Sequence, residues 1–256
     1  MKEIAKKVLF RIWYWYISTV DKKAQVTFMN YGYSKDNQEI DLEEQDEKNR
    51  YSAQLYNFVA TGVDIKGKEI LEVGCGRGGG LSFVKRYLSP KKATGLDINN
   101  KAIEFCKKQY TKDNIEFFQG NAQDLCFEDK AFDIVINVES SHRYPQVEKF
   151  LDEVYRVLKS GGYLLFTDFR NEKDIKLLNK QFKNSGFKIV KEELITSNVL
   201  EALKLSNIER EKLIQSLVPK FLHGLGKQFA ATVGTPTFNK FNNKEFEYLS
   251  HILVKQ

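Results

Sequence analysis

The run Leu71-Glu72-Val73-Gly74-Cys75-Gly76-Arg77-Gly78-Gly79-Gly80 holds the residue types that bring a backbone against a ligand. Glycines at a strand-to-helix turn leave no Cβ between main chain and ligand. Read as Gly74-x-Gly76-x-x-Gly79, the run matches a dinucleotide fingerprint, a pattern that does not by itself choose the ligand. Three polar positions do. Glu72, two residues before the first glycine, would repel a pyrophosphate but suits an ammonium and a sulfonium. Asp97 ends the next strand 21 residues after Gly76, and its two oxygens can accept both hydroxyls of a ribose. The third strand ends in Gly120-Asn121-Ala122-Gln123-Asp124-Leu125, where a polar side chain can meet the exocyclic amine of adenine. A nucleoside without phosphates, bearing a positive sulfur, satisfies all three.

These groups need a scaffold in which several strand ends meet. Glu69–Val73, Ala93–Asp97, Ile115–Gln119, Phe132–Asn137 and Gly162–Asp168 read as strands. Leu81–Leu88, Asn100–Tyr110 and Val147–Leu158 read as the helices between them. A helix over Ile175–Ser185, a strand over Phe187–Ile195, a helical insertion from about Asn198 to Phe229 and a final strand over Phe246–Val254 follow. The acidic stretch Ser34 to Arg50 reads as an exposed loop running into a helix. This alternation predicts an α/β, Rossmann-like fold with a seven-stranded, mostly parallel sheet, helices on both faces, and N-terminal and C-terminal helical lid elements. Ligands then belong at the carboxyl ends of the strands. No repeat or Pro/Gly/Ser-rich linker divides the chain, so one domain is expected. In it, residues 1–65 form an N-terminal helical lid, 66–195 a cofactor-binding core, 196–232 a helical insertion and 233–256 the final strand region.

Glu72 to Gly78 resembles the ExGxGxG first motif of class I methyltransferases. Gly120-Asn121-Ala122 resembles their Gly-Asp-Ala segment, and Val157-Leu158-Lys159-Ser160-Gly161-Gly162-Tyr163 the segment before their fifth strand. Asn137-Val138-Glu139-Ser140-Ser141-His142-Arg143-Tyr144-Pro145 and Phe28-Met29-Asn30-Tyr31-Gly32-Tyr33 are similar to the phthiotriolone and phenolphthiotriolone dimycocerosates methyltransferases. Those are O-methyltransferases of long lipid-like polyketide products. The resemblance is strongest over residues 65–170. It implies S-adenosyl-L-methionine as cofactor, held by Glu72, Gly74, Cys75, Gly76, Gly78, Asp97, Ile98, Asn121, Ala122 and Asn137, with no metal. It also implies O-methylation of a hydroxyl on an apolar small molecule. Asn121 departs from the aspartate of the pattern, although an amide can face adenine through its oxygen.

A hydroxyl acceptor must lose a proton as it attacks, and His142 falls in the segment that lines the acceptor side in this family. An imidazole titrates near neutrality and suits that task. Glu139, three residues earlier, would orient the ring or bind the acceptor. The competing role for His142 is to cap the following helix or to hydrogen-bond its loop. Tyr31, Tyr33, Tyr144 and His223 are the further candidates for contact with the acceptor, and His251, inside a strand, reads as structural.

Hydrophobic residues are 42% of the 256 and charged residues 29%, which places the chain among ordinary globular proteins. Cys75, Cys106 and Cys126, without CxxC spacing, read as reduced thiols of a cytoplasmic protein. The net charge of +6 is spread along the chain. No concentrated basic face marks a nucleic-acid partner. The aromatic run Val8 to Ile17 is interrupted by Arg11 and shorter than the about 20 apolar residues of a membrane span. Two roles stay open for it: a helix covering a ligand pocket, and a peripheral membrane contact. Trp13 and Trp15 would pack in either. Three other functions compete. C- or N-methylation of a small molecule is one, although Asn137-Val138-Glu139-Ser140 lacks the Asn/Asp-Pro-Pro-aromatic motif of amide methyltransferases. A NAD-binding oxidoreductase would give Glu72 no purpose. A non-catalytic nucleoside-binding protein is the third. No motif specifies the acceptor or an oligomeric state.

Overall fold

The computed structural model describes residues 13, 16, 17, 19–21, 23–36 and 39–256. Most of the aromatic run from Val8, including Trp15, lies outside the described residues.

Seven strands, β1 (Glu69–Val73), β2 (Lys92–Asp97), β3 (Ile115–Gln119), β4 (Phe132–Val138), β5 (Leu158–Arg170), β6 (Phe187–Leu194) and β7 (Glu247–Lys255), form one sheet. Their order is β3-β2-β1-β4-β5-β7-β6. The first five pair in parallel, and β7 runs antiparallel between β5 and β6. Strands covered on both faces need apolar residues at every position rather than at alternate ones. Accordingly Ile70, Leu71 and Val73 of β1 are all fully buried, Ile70 in the core on one face and Leu71 and Val73 in the core on the other.

Helices α1 (Arg50–Ala60), α2 (Gly79–Leu88) and α3 (Asn100–Gln109) cover the first face, and α4 (Val147–Val157) and α5 (Glu172–Asn184) the second. In α4 the buried residues Phe150, Leu151, Val154 and Val157 recur at the three- and four-residue spacing of one helical stripe. Right-handed crossovers carry the chain outward from β1 to β3 and then back to β4. The strand order therefore reverses between β1 and β4, which opens a crevice at their carboxyl ends.

Between β6 and β7 lie α6 (Thr196–Leu205), α7 (Asn207–Leu217), α8 (His223–Phe229) and α9 (Pro236–Asn242). Helix α9 falls where the sequence reading has only the approach to the last strand. Its start is nonetheless written locally, with Pro236 in the first turn and the Thr235 hydroxyl accepting from the Phe238 N–H at 3.3 Å. The acidic stretch is exposed as expected at Asp36, Glu39, Asp41, Glu43, Glu44 and Glu47, and Asp46 is the exception. The stretch forms a 3-10 turn over Glu44–Asn49, in which Asp46 is buried against Arg86 (2.7 and 2.9 Å) and the Tyr87 hydroxyl (2.7 Å). No helix among the described residues is long and apolar enough to cross a membrane.

The N-terminal segment lies against the glycine loop. Arg77, fully buried, donates through Nε to the Val26 carbonyl (2.5 Å) and through an Nη to the Asp21 carboxylate (3.0 Å). Its guanidinium stacks 3.7 Å above the Phe105 ring, and the Gly79 N–H donates to the Thr27 carbonyl at 3.2 Å. Further out, Trp13 stacks on Phe229 with 4.8 Å between ring centroids and, with Ile17, packs on Ile214 and Val218. Removing one partner of such a pair leaves a buried charge alone, so Arg77→Met should lower stability by about 3–5 kcal/mol. Urea unfolding measures this, and unchanged stability would show that the ion pair does not fasten the segment.

Candidate active site

Gly74 stands at φ +80°, where a Cβ would also come within 2.0 Å of the Ser140 hydroxyl oxygen. The glycine thus lets the β1 loop touch the loop after β4. The N–H groups of Gly74 and Cys75 donate to the Leu96 carbonyl at 2.7 and 3.1 Å, which fixes the turn against the end of β2. Cys75 is buried and offers the site only its backbone.

Glu72 is fully buried. The Tyr56 hydroxyl donates to its Oε1 at 2.6 Å, and its Oε2 has no hydrogen-bond partner. Burial lifts the carboxyl to about 7; the Tyr56 bond opposes the shift and the Asp97 charge adds to it. Tyr56 reaches this position because Gly80 is bare: a Cβ there would sit 1.8 Å from the phenol ring. Asp97 accepts from the Gly76 N–H through Oδ2 (2.9 Å) and from the Asn99 N–H through Oδ1 (2.8 Å). Burial raises its pKa against those bonds, and each oxygen keeps a second lone pair. Asn137, buried at the end of β4, donates through Nδ2 to the Val73 carbonyl (2.8 Å) and to the Tyr144 hydroxyl (3.1 Å), while its Oδ1 is unpartnered.

The ends of β1 and β4 therefore hold two buried acceptors without donors, and a buried polar atom without a partner is costly unless a ligand supplies one. A donor-bearing cation attached to a ribose fits this set better than a pyrophosphate does. Beside it, Ile98 is 69% exposed directly after the buried β2, an apolar face open to a flat ring. Asn121 is exposed, and its Oδ1 already accepts from the Gln123 N–H at 3.0 Å, so the loop itself uses the oxygen expected to face adenine. Ala122 packs into the core below, and Gly76 and Gly78 complete the turn at φ +53° and +75°.

Past β4 a second cluster forms. Glu139, at φ +47°, accepts on Oε1 from the Tyr31 N–H and the Tyr248 hydroxyl, both at 2.6 Å. Burial raises it to about 8, so it is largely neutral at pH 7. His142 does not cap α4. Its Nδ1 lies 2.7 Å from Asp168 Oδ1, its backbone N–H donates to Asp168 Oδ2 at 2.9 Å, and its Nε2 accepts from Arg143 Nε at 3.0 Å. Burial lowers the imidazole pKa, with Asp168 opposing, so the ring is neutral at pH 7. Phe169 packs against it, tilted, at 4.5 Å and joins Tyr31, Phe241, Phe246 and Tyr248 in one aromatic cluster, with centroid distances of 5.4 to 6.2 Å from Phe169.

Of the residues expected to meet the acceptor, Tyr31 belongs to this cluster, and Tyr144 sits on the β4 loop, bonded to Ser140 at 2.7 Å. The structure does not bring Tyr33 or His223 there. Tyr33 stacks on Phe58 of α1 at 4.5 Å inside the core, and His223 Nε2 is bonded to the Val218 carbonyl at 2.8 Å within the insertion. His251 is enclosed between Phe166 and Phe182, the structural role expected of it. Sequence reasoning missed Tyr56, Tyr248 and Asp168. Only Asp168 left a trace, as a carboxylate at the carboxyl end of a buried strand.

Residues 71–166 match a family model described as a methyltransferase domain. A fatty-acid O-methyltransferase of Mycolicibacterium smegmatis is 38% identical over 252 residues, covering 98% of this chain and 90% of that protein. A phthiotriol/phenolphthiotriol dimycocerosates methyltransferase of Mycobacterium tuberculosis is 34% identical over 250 residues, covering 97% of this chain and 93% of that protein. A solved structure, a putative sarcosine dimethylglycine methyltransferase from Galdieria sulphuraria, aligns with a TM-score of 0.73 at 15% identity over 98% of both chains, a likeness of fold alone. Identity of this extent along nearly the whole of both chains, joined to a glycine loop and carboxylates that fit the cofactor, makes this chain a member of the class I S-adenosylmethionine-dependent methyltransferase family.

Proposed function

We propose that this methyltransferase methylates an oxygen of an apolar, lipid-like acceptor, with His142 as the base that takes the acceptor's proton. The observation that carries this reading is the imidazole at the edge of the aromatic cluster, its Nδ1 on Asp168 at 2.7 Å and its Nε2 held by the Arg143 Nε–H at 3.0 Å, a donor that must move aside for Nε2 to take a proton. When bound, the cofactor supplies a methyl carbon already activated by its sulfonium. Glu72 and Asn137 would take its ammonium, Asp97 its ribose, and Ile98 the face of its base. Alignment of acceptor and methyl then provides much of the acceleration. Tyr31, Phe169 and Phe241 would form the apolar wall that positions the acceptor. The packing of Trp13 and Ile17 on α7 and α8 supports a covering role for the N-terminal segment over a membrane-surface one. Three free cysteines fit a cytoplasmic setting.

A second acceptor chemistry has its own support. One relative is named for fatty acids, and a carboxylate carries no proton to remove at neutral pH. The Arg143 guanidinium beside His142 is a cation suited to such a group. The two chemistries separate by their need for a base. On a long-chain alcohol, His142→Ala should lower turnover by roughly 10²–10⁴-fold, and the native rate should fall as the imidazole protonates. On a fatty acid the same variant should keep most of its rate. Near-native turnover of His142→Ala on the alcohol would remove the histidine from the chemistry.

Cofactor binding gives two further expectations. Asp97→Ala should weaken S-adenosylhomocysteine binding by about 2–3 kcal/mol in a folded protein, read by titration calorimetry. Unchanged affinity would contradict the ribose assignment. Glu72 titrates at about 7 in the free protein, and a bound ammonium favours its ionised form. Binding should therefore release a proton, and affinity should fall as pH drops from about 8 to about 6. Glu72→Gln should flatten that dependence; a native profile already flat would exclude Glu72 from the ammonium site.

A further inference from the structure

We propose that the turn Pro219–Leu222, at the tip of the insertion between β6 and β7, docks this enzyme on an anionic lipid surface. Two observations point there, one of charge and one of exposure. The lysines are spread along the chain, but the carboxylates are not. From Lys212 to Lys244 there are five lysines and no aspartate or glutamate, a net +5 out of the chain's +6. Within that stretch Phe221 is 85% exposed, more than any other large hydrophobic residue among those described.

The local winding explains the exposure. The Leu222 N–H donates to the Pro219 carbonyl at 2.8 Å, and His223 Nε2 is bonded to the Val218 carbonyl at 2.8 Å. Lys220–Leu222 is thereby fastened as a 3-10 turn, in which successive side chains point about a third of a turn apart. Val218 and Leu222 enter the small core of Trp13, Ile17 and Ile214, which leaves Lys220 and Phe221 facing outward. On α7 the exposed Lys212, Gln215 and Ser216 lead toward the same tip. Glu211, just before them, is paired with Lys227 at 2.8 Å. An outward ring on a fixed turn, among lysines and without carboxylates, matches the boundary of a bilayer. There the ring can enter the acyl region while the ammonium groups meet lipid phosphates. The contact is peripheral, since no helix among the described residues is long and apolar enough to cross a membrane.

The inner side of the same insertion reaches the aromatic cluster. Arg210 of α7 donates to the Tyr31 carbonyl at 2.9 Å, and Phe241 of α9 packs edge-on against the Tyr31 ring at 5.5 Å. A lipid-like acceptor leaving the bilayer at the tip would pass along the insertion to the cluster. That use of the surface rests on the acceptor class proposed above, whereas the docking does not.

Flotation of the native protein with phosphatidylglycerol vesicles and, in parallel, with phosphatidylcholine vesicles reads docking without turnover, and so independently of the acceptor. The protein should float with the first and not with the second, and added salt should release it. Phe221→Ser should weaken the partition roughly 10–100-fold, and Lys212→Gln together with Lys220→Gln roughly 30-fold. S-adenosylhomocysteine should raise the melting temperature of each variant as it does that of the native chain, which shows that the fold is kept. No flotation with phosphatidylglycerol, equal flotation with phosphatidylcholine, or binding that survives Phe221→Ser overturns the proposal. So does a native dimer that Phe221→Ser splits in sedimentation velocity, because the tip would then belong to a second copy of this chain. Docking as expected without turnover of any lipid-like acceptor supports this surface and counts against the acceptor class alone.

Discussion

The Asn137 side chain donates to the Val73 carbonyl across the junction of β1 and β4, at the place where the strand order of the sheet reverses. Both loops that carry polar chemistry spring from that junction. The glycine turn leaves β1, and the Ser140–Tyr144 turn leaves β4 and passes so close to Gly74 that any side chain there would displace it. A parallel sheet gives its strands a common direction and so gathers their carboxyl ends at one edge. The Asn137 hydrogen bond adds to the backbone pairing that keeps two of those ends in register. The backbone ladder of β1 and β4 ends at Glu72 and Ile136, and the Asn137 bond carries the junction one step further, to the start of the two loops.

Three enclosed carboxyls around this edge sit in three different states, each set by its neighbours. Glu72 has a single phenol donor and one bare oxygen, and it titrates at about 7. Glu139 has two donors on one oxygen and lies at about 8, so it holds the N-terminal segment and β7 together largely as a neutral acid. Asp168 has an arginine, a histidine, a serine and backbone donors and stays ionised. Burial is shared by all three, so the partners decide which form each takes. One carboxyl thus keeps a bare oxygen, one joins two distant segments, and one is bonded to an imidazole.

Much of this was legible from residue order, for identifiable reasons. Strand and helix periods, the glycines after β1 and Asp97 at the end of β2 are local features, and local geometry puts each at a strand end. Contacts between distant segments were not legible. His142 and Asp168 are 26 residues apart, and Tyr56 reaches Glu72 only because α1 lies over a bare Gly80. Tyr33 illustrates the opposite failure. It lies two residues from Tyr31, yet the chain turns at Gly32, whose φ is +87°, and sends the second tyrosine to α1 while the first meets Phe169 and Phe241. Helix α9 was hidden because seven residues are too few for a periodic signal, although its cap was written in Thr235-Pro236.

The proposed function turns on the atom that receives the methyl group. Incubating the protein with methyl-¹³C S-adenosylmethionine and a mixture of long-chain alcohol, acid and amine, then reading the ¹³C spectrum of the products, measures it directly. Label on oxygen, as ether or ester, is the expected result. Label on nitrogen or carbon, or none on any lipid-like acceptor while S-adenosylhomocysteine binds normally, would contradict the proposed function.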